Sequence, residues 1–304
     1  GAVLALREAR AKVREAETSR QTTQFLISLF QGADPTVARG AKLSAQDLLD
    51  QGSARLRSMS HLSPPVRARM LQTISATYTA LGDYDRALAL ASEALDLRRA
   101  DAASLEMAES LDQVGEVLRL KADYAGAEPL LREALDLRSA QLARDDPANI
   151  ESLAHLGALQ VGLGNFQSAD ERFAQAVQSA QRRFGENSVE TARYLDSYAS
   201  NLDDMGRRTQ ALALHRRVLA IRERVLGMND AEVAATLASL GVHLSGSGHL
   251  EEAARMLERA LAIRITVFGT SHPLVAFTQI DLAGVYADQG RLDDAKRLAQ
   301  ESLD

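Results

Sequence analysis

Apolar positions recur at spacings of three and four through most of the chain, in paired runs separated by a short polar turn. Leu71, Ile74 and Tyr78 precede Leu81-Gly82-Asp83-Tyr84, and Ala87, Leu90, Ala91, Ala94 and Leu95 follow. Such spacing puts apolar side chains on one face of an α-helix, so the chain from about residue 65 onward is expected to form helix pairs. A second pair carries Leu111, Val114, Gly115 and Leu118, then Tyr124, Ala127, Leu131 and Ala134. The third has Leu153, Leu156 and Gly157, then Gly164-Asn165-Phe166, Ala169, Phe173 and Ala176. Leu195, Tyr198, Ala199, Leu202, Gly206, Ala211 and Val218 mark the fourth. The fifth runs from Leu237, Leu240, Gly241 and Leu244 to Leu250, Ala253, Leu257 and Ala260; the sixth from Leu282, Ala283 and Tyr286 to Leu292, Ala295 and Leu298. Three series then share one period of 42 residues: Gly164, Gly206, Gly248 and Gly290; Gly185, Gly227 and Gly269; Ala169, Ala211, Ala253 and Ala295. A fixed period of this length marks stacked repeats, in which each unit buries its apolar face against its neighbours.

The small residues have a packing task. Gly115, Gly157, Ala199, Gly241 and Ala283 are expected to let the two helices of a pair approach closely, as are the alanines of the second helices. Gly185, Gly227 and Gly269 are placed to end helices as left-handed C′ residues. Asp146-Pro147, Asn187-Ser188, Asn229-Asp230 and Ser271-His272-Pro273 supply side-chain caps for the helices that follow. Pro129 falls near the start of a second helix, where it removes one hydrogen bond or bends the helix slightly. Repeat four departs from the pattern, with Arg208 at an aromatic position and His215 where Phe173 and Leu131 stand elsewhere; in repeat six Gln279 replaces a leucine.

Residues 1–62 read differently. A long Ala-, Arg- and Glu-rich helix is expected over 4–30, broken at Gln31-Gly32-Ala33-Asp34-Pro35. A second helix begins near Ser44 with Leu48, Leu49 and Leu56 apolar, and Ser63-Pro64-Pro65 marks the boundary to the array. The expected organisation is an N-terminal helical cap or membrane-proximal segment over 1–62 and the repeat array over 63–304.

Composition narrows the function. Apolar residues make up 46%, enough for a continuous core, and aromatics only 4% with no Trp, so alanine does the close packing. A net charge of −6 disfavours a nucleic-acid binder, which carries a basic field. Without cysteine there is neither a disulfide nor a Cys-ligated metal. No apolar run approaches the ~18 residues of a membrane span. The chain begins at Gly1 and ends just after a helical pattern, so it reads as a piece of a larger parent. The six histidines are scattered; His243 and His249 do not share the i, i+4 spacing of a zinc helix. Gly246-Ser247-Gly248 is a turn in the repeat register, and no kinase signature is present. The chain is therefore expected to be non-catalytic, with no cofactor and no metal.

The paired helices, with Gly-x-Tyr or Gly-x-Phe at the turn and two alanines seven apart on the second helix, resemble the tetratricopeptide repeat. The match is fullest at Leu156-Gly157, Gly164-Asn165-Phe166, Ala169, Phe173 and Ala176; the period and the Gly269-to-Pro273 link are similar to the kinesin-light-chain variety. This resemblance implies an all-α, right-handed α-solenoid of about six hairpins with an N-terminal helical cap. It also implies a concave face lined by the first helices: Arg69, Gln72 and Thr73; Asp112, Glu116 and Arg119; His155, Ala158 and Val161; Asp196, Ser200, Asp203 and Asp204; Ser239, Val242 and Ser245; Phe277, Asp281 and Asp288. The Lys and Asn pairs that grip acidic C-terminal peptides in relatives are missing. The excess of Asp and Glu predicts a preference for basic or neutral peptides. Arg98, Arg99, Arg138, Arg216, Arg217, Arg222, Arg224, Arg255 and Arg259 are expected on a basic convex face.

A narrower resemblance lies upstream. Gln24-Phe25-Leu26, Leu29-Phe30, Ala33-Asp34-Pro35 and Leu48-Leu49-Asp50-Gln51-Gly52, followed by Arg67-Ala68-Arg69-Met70-Leu71, resemble the junction in bacterial membrane-anchored serine/threonine kinases that carry such repeats. It implies a sensory or docking region on the extracytoplasmic (periplasmic) side of the membrane, with Gly1 to Leu6 as the last turn of a membrane helix. The alternative is a cytoplasmic scaffold or adaptor. In either case the expected partner is a protein or peptide, with self-association open and no nucleic acid.

Overall fold

The computed structural model describes residues 45–59, 62–99 and 104–302, and among these it contains thirteen helices and no strand. The helix expected over 4–30, its break at 31–35 and the residues of the upstream resemblance before 45 lie outside the described residues. Contacts divide the chain into two compact units, Gly1–Leu142 and Ala143–Asp304.

In the first unit α1 (Ala45–Ser58) packs on α2 (Pro64–Ala80), followed by α3 (Tyr84–Arg98), α4 (Leu105–Leu120) and α5 (Tyr124–Gln141), each touching the next. Leu49 and Leu56 of α1 join Val66, Met70, Leu71, Ile74 and Tyr78 in one buried cluster. The second unit stacks four hairpins: α6 (Pro147–Gly162) with α7 (Phe166–Phe184), α8 (Val189–Asp204) with α9 (Arg208–Leu226), α10 (Ala231–Gly246) with α11 (Leu250–Phe268), and α12 (Pro273–Asp288) with α13 (Leu292–Glu301). Its hairpins share buried clusters across their seams, such as Ile150, Ala176, Leu195 and Val218. The hairpins therefore follow the predicted register, and α5 continues through Pro129.

The crossing inside each hairpin shows why small residues recur. A Cβ on Gly115 would lie 2.7 Å from Leu131 Cγ, one on Gly157 2.9 Å from the Phe173 ring, and one on Gly241 2.5 Å from Leu257 Cγ. Carbon atoms pack at ~3.5–4 Å, so no side chain fits without movement. Alanine stands at the corresponding positions of two other hairpins, Ala199 in the fourth and Ala283 in the sixth.

Within a hairpin, the first helix ends in a Schellman turn. Gly164 N–H bonds Val161 O at 2.9 Å and Asn165 N–H bonds Gln160 O at 2.8 Å. The glycine has φ 75°, and Ala122 occupies the same place in the second hairpin with φ 61°. The glycines between hairpins depart from expectation. Gly185 caps α7 with φ 90° and ψ 154°, so it is not left-handed helical but an extended, positive-φ residue that only glycine adopts freely. Gly227 and Gly269 repeat this geometry. The following caps form as predicted: Asp146 accepts from Ala148, Ser188 from Thr191, Asp230 from Glu232 and the His272 ring from Leu274.

A tyrosine staple joins consecutive elements. The hydroxyls of Tyr198 and Tyr286 donate to Asp170 and Glu258, each 28 residues earlier on the preceding second helix, at 2.6 and 2.7 Å. Tyr78 reaches Asp50 on α1 at the same offset and 2.6 Å. Thus α1 sits against the first hairpin as a second helix sits against its successor.

Candidate functional site

First helices of successive hairpins lie side by side in the second unit, and their contacts run along the repeat register. Glu151 on α6 meets Arg193 on α8 at 2.6 Å, a step of one full repeat. Tyr194 donates to the same carboxylate at 2.9 Å, and Arg193 lies over the Tyr194 ring. Burial alone would raise the Glu151 carboxyl, but the bond from His155 and the charges of His155 and Arg193 lower it to about 2. The next members of this column are Ala235 and Phe277, the latter 61% exposed. Two turns further along the register lie Ala158, Ser200 and Val242, with Val242 47% exposed.

Most of the carboxylates expected to make the face acidic are already engaged. Asp112 is buried against Arg138 at 3.2 Å, which removes it from the open face of the first unit. Glu116 forms a two-pronged pair with Arg119 at 2.7 Å. His155 lies 3.5 Å from Glu151. Asp196 faces His215 at 3.1 Å and Arg222 at 2.9 Å. Burial opposes the Asp196 charge, yet the His215 bond and the Arg222 cation hold its carboxyl below the ordinary value. Asp203 meets His243 at 2.9 Å, and the His243 ring stacks on His215 at 4.8 Å. Ser200 bonds back to Asp196 O, Ser239 is half-buried, and Asp204 and Asp281 remain exposed. The structure therefore joins Asp196 and Asp203 into one polar seam through His215 and His243.

Three of the predicted convex-face arginines need correction. Arg98, Arg138 and Arg222 are 7% exposed and reach inward, because the last turn of a second helix is covered by neighbouring first helices. Arg98 donates to Glu106 O and to Glu109 at 3.2 Å; Arg222 bonds Asp196 and Thr236 and pairs with Glu232. Arg264 occupies the equivalent place on α11 and is 8% exposed. This series was missed in the sequence because a long amphipathic side chain at a helix end reads as surface. Its recurrence at one repeat position, from Arg98 and Arg138 to Arg222 and Arg264, was the available signal. Of the other arginines, Arg216 and Arg259 pair with Glu252 and Glu223 on neighbouring second helices, and Arg217 with Glu186 in the link after α7.

Among the described residues no cluster of three or more His, Cys, Asp or Glu side chains could hold a metal, and no helix is long and apolar enough to cross a membrane. A tetratricopeptide repeat model matches residues 106–182, 146–224, 190–266 and 232–304, and another matches 67–100. The chain belongs to the tetratricopeptide repeat family. Comparison with curated protein sequences finds no match. Solved tetratricopeptide-like folds do match. BtubC (BKLC) from P. vanneervenii is 24% identical with a TM-score of 0.61, covering 72% of this chain and 89% of its own. A Podosopora anserina protein assigned as a kinesin light chain is 20% identical with a TM-score of 0.58, over 66% and 94%. A Rap protein complexed with Competence and Sporulation Factor is 12% identical with a TM-score of 0.63, over 93% and 84%. At these identities the likeness is one of fold, and it places the tetratricopeptide hairpins among α-solenoid arrays.

Proposed function

We propose that the chain is a non-catalytic docking module whose first-helix face receives a protein or peptide segment. The observation that carries this reading is the face of α6, α8, α10 and α12. It holds Phe277 and Val242 open to solvent beside side chains already fixed by ion pairs. Fixed polar groups lose little freedom on binding, and exposed apolar groups gain by being covered. Tetratricopeptide arrays are interaction surfaces, and one neighbour was solved as a complex with a bound factor. Residues 1–62 act as the cap of the array, a reading supported by the packing of α1 on α2.

The module further serves as the sensory or docking part of a bacterial receptor-type serine/threonine kinase, on the extracytoplasmic side. The support is the residue order at Leu48–Gly52 and Arg67–Leu71, which falls on α1 and α2. A second reading, a cytoplasmic scaffold, is favoured by the kinesin-light-chain-like fold neighbours. Reading the coding sequence upstream of Gly1 separates them: a kinase domain followed by ~20 apolar residues supports the first, and its absence the second. Selection of peptides on the purified chain, compared with a Val242→Arg variant, tests docking itself; equal recovery on both, or none on either, removes the first-helix face from consideration.

A further inference from the structure

The buried arginines of the second helices form a series with one exception in its charge pairing. A cation taken out of water is tolerated when a carboxylate and hydrogen bonds replace its hydration. Arg138 and Arg222 each pair with an aspartate on the first helix of their own hairpin, Asp112 and Asp196. The first hairpin has Gln72 at that position, and there Arg98 pairs instead with Glu109 on the next first helix. On α11 both sources are gone. Ala238 stands at the aspartate position and Phe277 at the glutamate position, while Leu274 replaces Glu232. Arg264 nevertheless stays 8% exposed, bonding through Nη1 alone to Leu274 O at 3.1 Å and Thr278 Oγ1 at 2.5 Å. Among the described residues no carboxylate lies within ion-pair distance of it and no bond is made by its Nε or Nη2. Asp281 acts on it only through its field, and burial works against the arginine's charge.

We infer that the Arg264 guanidinium, with Ala238 and Phe277 at the register positions where other hairpins carry its carboxylate, is the anchor for an acidic side chain of the docked polypeptide. The inference rests on the docking reading above and adds ligand chemistry to it. The ligand carboxylate takes the place that Glu109 fills beside Arg98, and an apolar neighbour in the ligand covers Phe277. An acidic side chain is the source, because the equivalent internal partners are side-chain carboxylates carried on a helix. The preference is thus local and opposite in sign to the one read from the count of Asp and Glu, most of which are internally paired.

The test uses random dodecapeptides displayed with no free C-terminus and selected on the full chain and on two variants, Phe277→Glu and Ala238→Asp. Each variant supplies an internal carboxylate at a position where another hairpin has one, and circular dichroism and thermal melting confirm that it remains folded. The expected result is enrichment of Asp or Glu next to an apolar residue on the unmodified chain, lost on both variants. An enriched peptide, resynthesised with capped ends, should bind about tenfold or more weaker when its acid is changed to the amide. Asp281→Asn should tighten the acidic peptide. Enrichment without acidic preference, or preference retained in Phe277→Glu, overturns the Arg264 assignment while leaving docking intact. An enriched peptide that binds equally well after its acid is changed to the amide overturns the side-chain carboxylate as the source, and no enrichment on any form overturns both readings.

Discussion

Gly241→Ala adds a single methyl group, and the hairpin crossing fixes its consequence. That carbon would stand 2.5 Å from Leu257 Cγ, 3.0 Å from Leu257 Cδ2 and 3.3 Å from Ala253 O. The nearest obstacle is a branch carbon backed by a main-chain oxygen, so swinging a flexible tip aside does not relieve it. Overpacking of this kind costs ~1–3 kcal/mol, and the double obstruction argues for the upper half. Alanine in a helix interior recovers ~1 kcal/mol over glycine. The expected net loss is about 1–2 kcal/mol. In a Leu257→Ala background, itself weakened by ~2–5 kcal/mol, the side-chain obstacle is gone, only the 3.3 Å approach to Ala253 O remains, and Gly241→Ala should stabilise by up to ~1 kcal/mol. The assay is urea unfolding of the four forms followed by far-UV circular dichroism, with unchanged m-values required. Equal destabilisation in both backgrounds would refute the steric account, since the cycle isolates the contact.

Further outcomes follow from other positions. Ala122→Gly relieves a left-handed alanine and should raise stability by about 0.5–1 kcal/mol, read as a higher urea midpoint; a lower one would mean that Ala122 is unstrained. Ala253→Leu places a branched side chain on a fully buried alanine and should cost ~1–3 kcal/mol, seen as a lower melting temperature. Glu151 has its folded carboxyl lowered from 4.5 to about 2, so its contribution is complete above 4.5 and fades as the pH falls toward 2. Glu151→Gln should therefore be less stable at neutral pH, with a shallower acid limb in a pH series of urea midpoints. An unchanged limb would show that the Arg193 and His155 contacts add nothing.

The hairpins were legible because helix periodicity, the fixed glycine period and the cap residues all derive from local geometry. Gly157 and Gly241 could be assigned to close crossings because their partners lie in the same hairpin. The charge pattern was less legible. Asp112, Asp196 and Asp203 read as a free acidic face, yet Asp112 and Asp196 meet arginines and Asp203 meets the His243 ring on neighbouring helices. Whether a carboxylate is free depends on the reach of Arg138, Arg222 and His243, and helical spacing does not encode that reach. Gly185 was assigned the wrong backbone region for a related reason: both conformations require positive φ, and only the path to the next cap distinguishes them. His215 was marked as a departure, but its stack on His243 joins two hairpins and is invisible within one.

The matched pairs at the crossings, Gly115 with Leu131, Gly157 with Phe173 and Gly241 with Leu257, never span a seam. Each hairpin is consequently a cassette that carries its own steric key. Duplication of a whole cassette lengthens such a chain without disturbing any key, whereas exchange of half a cassette between copies jams one crossing and hollows another. Growth by entire units is the route this architecture leaves open.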